Sequence, residues 1–68
     1  MMPEAPRITN PKLLDHAQVK GGRVELWKGS KGYYVYARYD ILVRMTGPDK
    51  KEETGKRKFE EMTEELRK

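Results

Sequence analysis

The stretch RVELWKGSKGYYVYAR (residues 23–38) decides how this chain folds. Its two halves, RVELWK and YYVYAR, are rich in β-branched and aromatic residues, which favour strands, and the GSKG between them favours a tight turn. With Ser30 and Lys31 at the tip, Leu26 lies opposite Val35. This register predicts one buried face of a sheet, formed by Val24, Leu26, Tyr33, Val35 and Ala37. The opposite face receives Arg23, Glu25, Trp27, Tyr34, Tyr36 and Arg38.

The alternation of apolar residues continues beyond this hairpin, up to Met45. Two structures preserve it. One is a turn centred on Tyr39, an odd-length loop that pairs Ala37 with Ile41 and gives a third strand. The other is a long bent hairpin arm, which exceeds the usual strand length. We favour the third strand, with Ile41 and Val43 on the buried face and Arg44 on the aromatic face.

The segment before the hairpin is bounded by residues that favour the start and the end of a helix. Asn10 suits the cap position and Pro11 the first turn, and the glycines at 21 and 22 suit the end of a helix. We therefore predict a short helix from about Pro11 to Lys20. Residues 1–9 contain two prolines and few apolar side chains, which indicates an extended tail.

The carboxy-terminal third favours a second helix. Gly47-Pro48 is expected to end the sheet, and Asp49 followed by Glu52 resembles a capping box. Beyond it the chain is highly charged, and its apolar residues Phe59, Met62 and Leu66 form a helical stripe.

These elements predict a small two-layer α+β domain over residues 10–68, with a short N-terminal helix, a three-stranded antiparallel sheet and a C-terminal helix. Sixty-eight residues allow one domain with a thin core. Stability then depends on efficient packing or on a partner subunit, so a homodimer is one alternative to a monomer.

Several classes of function are disfavoured by the composition. The chain has no cysteine and one histidine, which argues against a disulfide framework, a structural zinc site or another metal site. His16 has no nucleophile or second carboxylate at a diagnostic spacing, so we expect no enzyme, catalytic residue or cofactor. No signal peptide or membrane-spanning stretch is recognised. We expect a soluble cytoplasmic protein.

The charge and the aromatic residues point to a binding protein. The net charge is +4, and the segment from Asp49 to Lys68 contributes nothing to it, with seven basic and seven acidic residues. Aromatic side chains flanked by arginine can stack on unpaired bases, and they also form protein-interface hot spots. The candidate binding residues are Arg23, Trp27, Lys28, Lys31, Tyr34, Tyr36, Arg38, Arg44, Lys56 and Arg57.

A basic cluster opens the predicted C-terminal helix. It contains Lys56, Arg57 and Lys58, with Lys50 and Lys51 earlier. With the predicted order of helix, three strands and helix, this layout is similar in topology to double-stranded-RNA-binding domains, in which basic residues at that helix contact phosphates. A solvated face of alternating charge is the simpler interpretation.

The sequence therefore predicts a small basic, non-enzymatic binding module, with nucleic acid as the first candidate partner. The alternative is a protein-interaction regulator or inhibitor, of the kind that phage or plasmids carry as accessory proteins. It would dock its aromatic face on a larger protein. No membrane partner is expected.

Overall fold

The computed structural model describes residues 8–68, and most of the predicted 1–9 tail lies outside them. Four strands and one helix follow one another along the chain: β1 (Lys12–Val19), β2 (Gly22–Gly29), β3 (Gly32–Tyr39), β4 (Leu42–Asp49) and α1 (Glu52–Arg67). The strands form one antiparallel sheet in the order β1-β2-β3-β4. Each pair of neighbours is joined by a two-residue turn.

The central hairpin has the predicted register. Leu26 pairs with Val35 and Val24 with Ala37, around a turn at Ser30-Lys31. These side chains are fully or almost fully buried. The hairpin prediction is therefore confirmed, because its period-two pattern and its glycine-bounded turn both act locally.

The predicted N-terminal helix is wrong, because residues 12–19 form β1 and pair with β2. A β-bulge between Leu13 and Asp15 breaks the alternation, so Leu14 and Ala17 both pack against the core. This three-residue spacing is typical of a helix, so the sequence pattern does not indicate a strand here. Pairing with the otherwise free edge of β2 outweighs the local helix signals.

The prediction of three strands is also wrong. The third turn lies at Asp40-Ile41 and pairs Tyr39 with Leu42 and Ala37 with Arg44. Asp40 adopts a positive φ of 53°, which aspartate tolerates better than most residues. A two-residue turn can therefore form without glycine. With four strands and one helix, the likeness to the double-stranded-RNA-binding layout is lost.

The C-terminal helix is confirmed, and it packs on one side of the sheet. Phe59 and Met62 are buried against Val24, Leu26, Val35 and Ala37, and Leu66 is partly buried. The predicted capping box is wrong. Asp49 ends β4 and binds Lys58 Nζ at 3.0 Å, and the cap residue of α1 makes no side-chain capping bond. Within residues 8–68, no helix is long and apolar enough to cross a bilayer.

Candidate binding surface on the uncovered face of the sheet

Within residues 8–68, α1 covers one side of the sheet and no helix or strand covers the other, which is therefore a candidate binding surface. We call this other side the open face. Strand alternation and the pairing register assign eleven side chains to it: Leu13, His16 and Gln18 from β1, Arg23, Glu25 and Trp27 from β2, Tyr34, Tyr36 and Arg38 from β3, and Val43 and Met45 from β4. The six residues predicted for the aromatic face of the central hairpin all lie here.

Two rows of side chains cross all four strands of the open face. One row is His16, Glu25, Tyr36 and Met45, and the other is Gln18, Arg23, Arg38 and Val43. A third, shorter row joins Leu13, Trp27 and Tyr34. Directly opposed side chains on neighbouring strands lie within contact distance, so the open face is one continuous surface.

Glu25 lies near the middle of this surface and orders its neighbours. Its carboxylate accepts a hydrogen bond from Trp27 Nε1 at 2.8 Å and forms an ion pair with Arg23, whose Nε lies 2.9 Å from Oε2 without hydrogen-bond geometry. The indole N–H is therefore held against the Glu25 carboxylate. The charge of Arg23 is neutralised at the same time, so Arg23 offers little attraction to a phosphate.

Tyr34 is packed against its neighbours and is hardly accessible to a partner. It is only 9% exposed, and its ring lies beside Gly29 and Gly47. A Cβ on Gly29 would be 3.2 Å from Tyr34 Cε1, and one on Gly47 would be 3.1 Å from Tyr34 Cδ2. The methyl group of Ile8 covers the same position on Gly29. Tyr34 therefore has little ring surface left for stacking on a base.

Arg38 is the cation of the open face that keeps its charge available. It is partly buried and lies opposite Arg23 on one side and Val43 on the other. In the part of the chain that the structure describes, it has no ion pair. A carboxylate on a partner would complete this site.

Five of the predicted site residues lie away from the open face, and three of them are on β4 and α1. Arg44 is on the helix side of β4, where its guanidinium donates to Tyr39 Oη at 3.5 Å and to Glu65 Oε2 at 3.3 Å. These two hydrogen bonds raise the pKa of Arg44 above its ordinary value. Lys56 pairs with Glu52 on α1 at 3.3 Å, and Arg57 is exposed on the same helix. The prediction that Arg44 shares the aromatic face is wrong.

Lys28 and Lys31 belong to a second surface, at the end of the sheet where the β2–β3 turn lies. The start of β1, the end of β4 and the start of α1 meet at this end. We call it the lysine end; it carries Lys12, Lys28, Lys31, Lys50 and Lys51. Lys12 is directly opposite Lys28, whose Nζ lies 5.7 Å from the centroid of the Tyr33 ring.

The apolar part of the open face was missed by the sequence. Leu13, Val43 and Met45 are 39%, 57% and 47% exposed, although Val43 and Met45 had the parity of the buried face in the predicted register. The position of the third turn would have revealed Val43 and Met45, and Leu13 was missed because its segment was predicted as a helix. Among residues 8–68, no group of three or more His, Cys, Asp or Glu side chains could hold a metal ion.

Comparisons of the chain with models of protein families, with curated proteins and with solved structures gave no match. The function is therefore inferred from the chemistry of the two surfaces.

Proposed function

We propose that this protein is a small, non-enzymatic protein-interaction module that docks its open face on a larger protein. The observation that supports this function is the composition of that face. A tryptophan, tyrosines, arginines and exposed aliphatic side chains lie together on the side that the helix leaves uncovered. Trp, Tyr and Arg dominate the binding energy of protein interfaces.

The aliphatic side chains favour a protein over a nucleic acid. Leu13 is exposed at one edge of the open face and Val43 and Met45 at the other, and an apolar surface of a protein partner can bury such side chains whereas phosphate groups cannot. The carboxylate of Glu25 in the middle of the face opposes phosphate. Tyr34, which base stacking would need, is packed.

The charge of the open face indicates the chemistry of the partner. Glu25 is already engaged by Arg23 and Trp27, whereas the guanidinium of Arg38 has no ion-pair partner among residues 8–68. The complementary surface is an apolar patch with a carboxylate beside it. A cytoplasmic location, expected from the sequence, belongs to this proposal.

Site-specific photocrosslinking in the source cell tests the proposal. A benzophenone amino acid replaces Leu13 on the open face or, as the control, Glu60 on the exposed surface of α1. We expect one protein, identified by mass spectrometry, to be crosslinked at position 13 and not at position 60. That product should disappear with Arg38→Glu or Trp27→Ala. Equal products from both positions, or a product containing only this chain, would contradict the proposal.

A second candidate function is nucleic-acid binding through the lysine end. Its support is the direct opposition of Lys12 and Lys28, because like charges facing each other across strands destabilise a sheet unless an anion lies between them. Phosphate groups would meet the lysines as point charges, without base readout. The nearby acidic residues Glu52 and Asp49 are paired with Lys56 and Lys58.

Fluorescence anisotropy of labelled single- and double-stranded DNA and RNA, at low and near-physiological salt, tests this second function. A Lys12→Gln, Lys28→Gln double variant should weaken binding and flatten its salt dependence by about one unit of slope per lost contact. Arg57→Gln on α1 is the matched control and should bind like the original chain. Binding that is equal in all three proteins would exclude the lysine end.

A further inference from the structure

The two edges of the sheet differ in how their backbone groups are used. Residues that flank a two-residue hairpin turn form a hydrogen-bonded pair, and such pairs alternate with non-bonded ones along the strands. From the pairing of Val19 with Gly22, the outward-facing groups of β1 belong to His16 and Gln18. From the pairing of Tyr39 with Leu42, those of β4 belong to Val43 and Met45.

The β1 edge is closed by the protein itself. The N–H of His16 donates to Asp15 Oδ1 at 2.8 Å, and the C=O of Gln18 accepts a hydrogen bond from Arg67 Nε at 2.9 Å. The bulge at Leu14 bends the same strand. These are the devices by which sheets prevent the addition of another strand.

The β4 edge carries none of these devices between Leu42 and Thr46. In the described part of the chain, the outward backbone groups of Val43 and Met45 have no hydrogen-bond partner. The turn before them exposes Ile41 almost completely, at 96%. The single charged residue of this stretch, Arg44, is already held by Glu65. An apolar, unprotected edge of this kind is a template for pairing.

We infer that β4 pairs antiparallel with β4 of a second copy of this chain, which joins two four-stranded sheets into one of eight strands. The inference goes beyond the proposed function, because it uses the strand edge rather than the open face. A two-fold axis between the copies gives a closed dimer rather than an open-ended chain of subunits. Both outer edges of the eight-stranded sheet would be β1 edges, which are capped, so the assembly stops at a dimer.

The side chains favour one register. Outward backbone groups must face each other, so the two-fold axis passes through Val43, Arg44 or Met45. An axis at Val43 places Val43 opposite its own copy, Ile41 opposite the second copy's Met45, and Leu42 opposite the second copy's Arg44. The outward-facing positions, Val43, Ile41 and Met45, then pair with apolar residues only, and Leu42 lies opposite Arg44. Each Arg44 keeps Glu65 as its counter-ion.

The other two registers are poorer. An axis at Arg44 sets two guanidinium groups directly opposite each other, which is unfavourable. An axis at Met45 brings Val43 against Gly47 of the second copy, next to Pro48, which has no N–H to donate. One strand pair is a small interface, so we expect a dimer that dissociates on dilution.

Single-cysteine crosslinking tests the register in this cysteine-free chain. With the axis at Val43, the two Cα atoms of residue 43 are about 5.5 Å apart, within the range of a disulfide. Those of residue 45 are about 14 Å apart, because they are offset by four positions along the strands. Under mild oxidation with glutathione disulfide, Val43→Cys should give a covalent dimer. Arg44→Cys and Met45→Cys should give no more covalent dimer than the surface control Glu60→Cys.

Sedimentation velocity over a concentration series gives an independent measurement. Val43→Pro removes only an outward N–H and no hydrogen bond of the protomer, so it should fold and remain monomeric, while Val43→Ala should still dimerise. Circular dichroism checks the fold. The inference is overturned by a monomer at millimolar concentration, by a dimer that Val43→Pro leaves intact, or by crosslinking no stronger at residue 43 than at residue 60. None of these outcomes affects the photocrosslinking at Leu13.

Discussion

The backbone N–H of Asp40 donates to the carbonyl oxygen of Gly21 over 3.0 Å, and this hydrogen bond joins the first and third turns of the sheet. The contact is close. A Cβ on Gly21 would lie 2.5 Å from Asp40 Oδ1, and both residues have a positive φ, of 80° and 53°. The β3–β4 turn is therefore held in place by a neighbouring turn as well as by its own residues.

Asp40→Val should destabilise the protein by about 1–2 kcal/mol, because a β-branched residue is strained at positive φ. Asp40→Gly and Asp40→Asn accept this backbone conformation and should stay within about 0.5 kcal/mol of the original chain. Urea unfolding followed by circular dichroism measures all three. Equal losses for the valine and glycine variants would show that the side-chain contact with Gly21 matters more than the backbone strain.

The same turn explains where prediction from the sequence stopped. The central hairpin could be predicted because glycines bound its turn and its two strands share one apolar face. The third turn has no glycine, and Asp40 gives no comparable signal. Ala37 lies opposite Arg44 instead of Ile41, and a register shift by an odd number of residues transfers every following side chain to the other face. Ile41, Val43 and Met45 were therefore expected in the core, and Arg44 among the aromatic residues.

Replacement of Ile41 tests the corrected position of this turn. Ile41 is 96% exposed, whereas Leu26 is 2% exposed. Ile41→Ser should change the free energy of unfolding by less than about 0.5 kcal/mol. Leu26→Ala should cost about 2–5 kcal/mol, which is enough to unfold much of a domain of this size. Thermal unfolding of both variants is the measurement. A loss of several kcal/mol for Ile41→Ser would contradict the turn at Asp40-Ile41 and support the odd-length loop around Tyr39.

β1 shows a second physical reason for a wrong prediction. Asn10-Pro11 and Gly21-Gly22 suit the ends of a helix, but Asn10 has a positive φ of 52° and Gly21 belongs to a hairpin turn. A single bulge then gives Leu14 and Ala17 a helical spacing. Pairing with the next strand, β2, decided the structure of this segment, and the residues of β1 alone do not carry that information.

Gly55→Ala should destabilise the protein, although replacing glycine by alanine in a helix usually increases stability. Gly→Ala in an exposed helix position stabilises by about 1 kcal/mol. At Gly55, the new Cβ would lie 2.8 Å from Tyr33 Cβ and 3.6 Å from Leu26 Cδ1. The helix must move away from the sheet, so Gly55→Ala should lower stability by about 1–3 kcal/mol. Thermal unfolding measures this, with Arg57→Ala on the exposed side as the control near zero. A stabilised Gly55→Ala protein would contradict the close packing of α1 on β3.

Glu25 controls the charge of the open face, and its removal connects stability with binding. Glu25→Ala leaves Arg23 without its counter-ion and Trp27 Nε1 without its acceptor, which should cost about 1 kcal/mol. Glu25→Gln can still accept from the indole and should cost less.

Quenching of Trp27 fluorescence separates the loss of charge from the loss of packing. In Glu25→Ala, Arg23 loses the carboxylate that it shares with the indole, and its uncompensated guanidinium attracts anions to this part of the open face. Quenching by iodide should therefore increase more than quenching by neutral acrylamide, and added salt should remove the difference. Glu60→Ala on α1 is the matched control for net charge. Proportional increases with both quenchers would mean that the ring is merely more exposed. The same variant should bind an acidic partner more tightly, because Arg23 joins Arg38 as a second available cation on the open face.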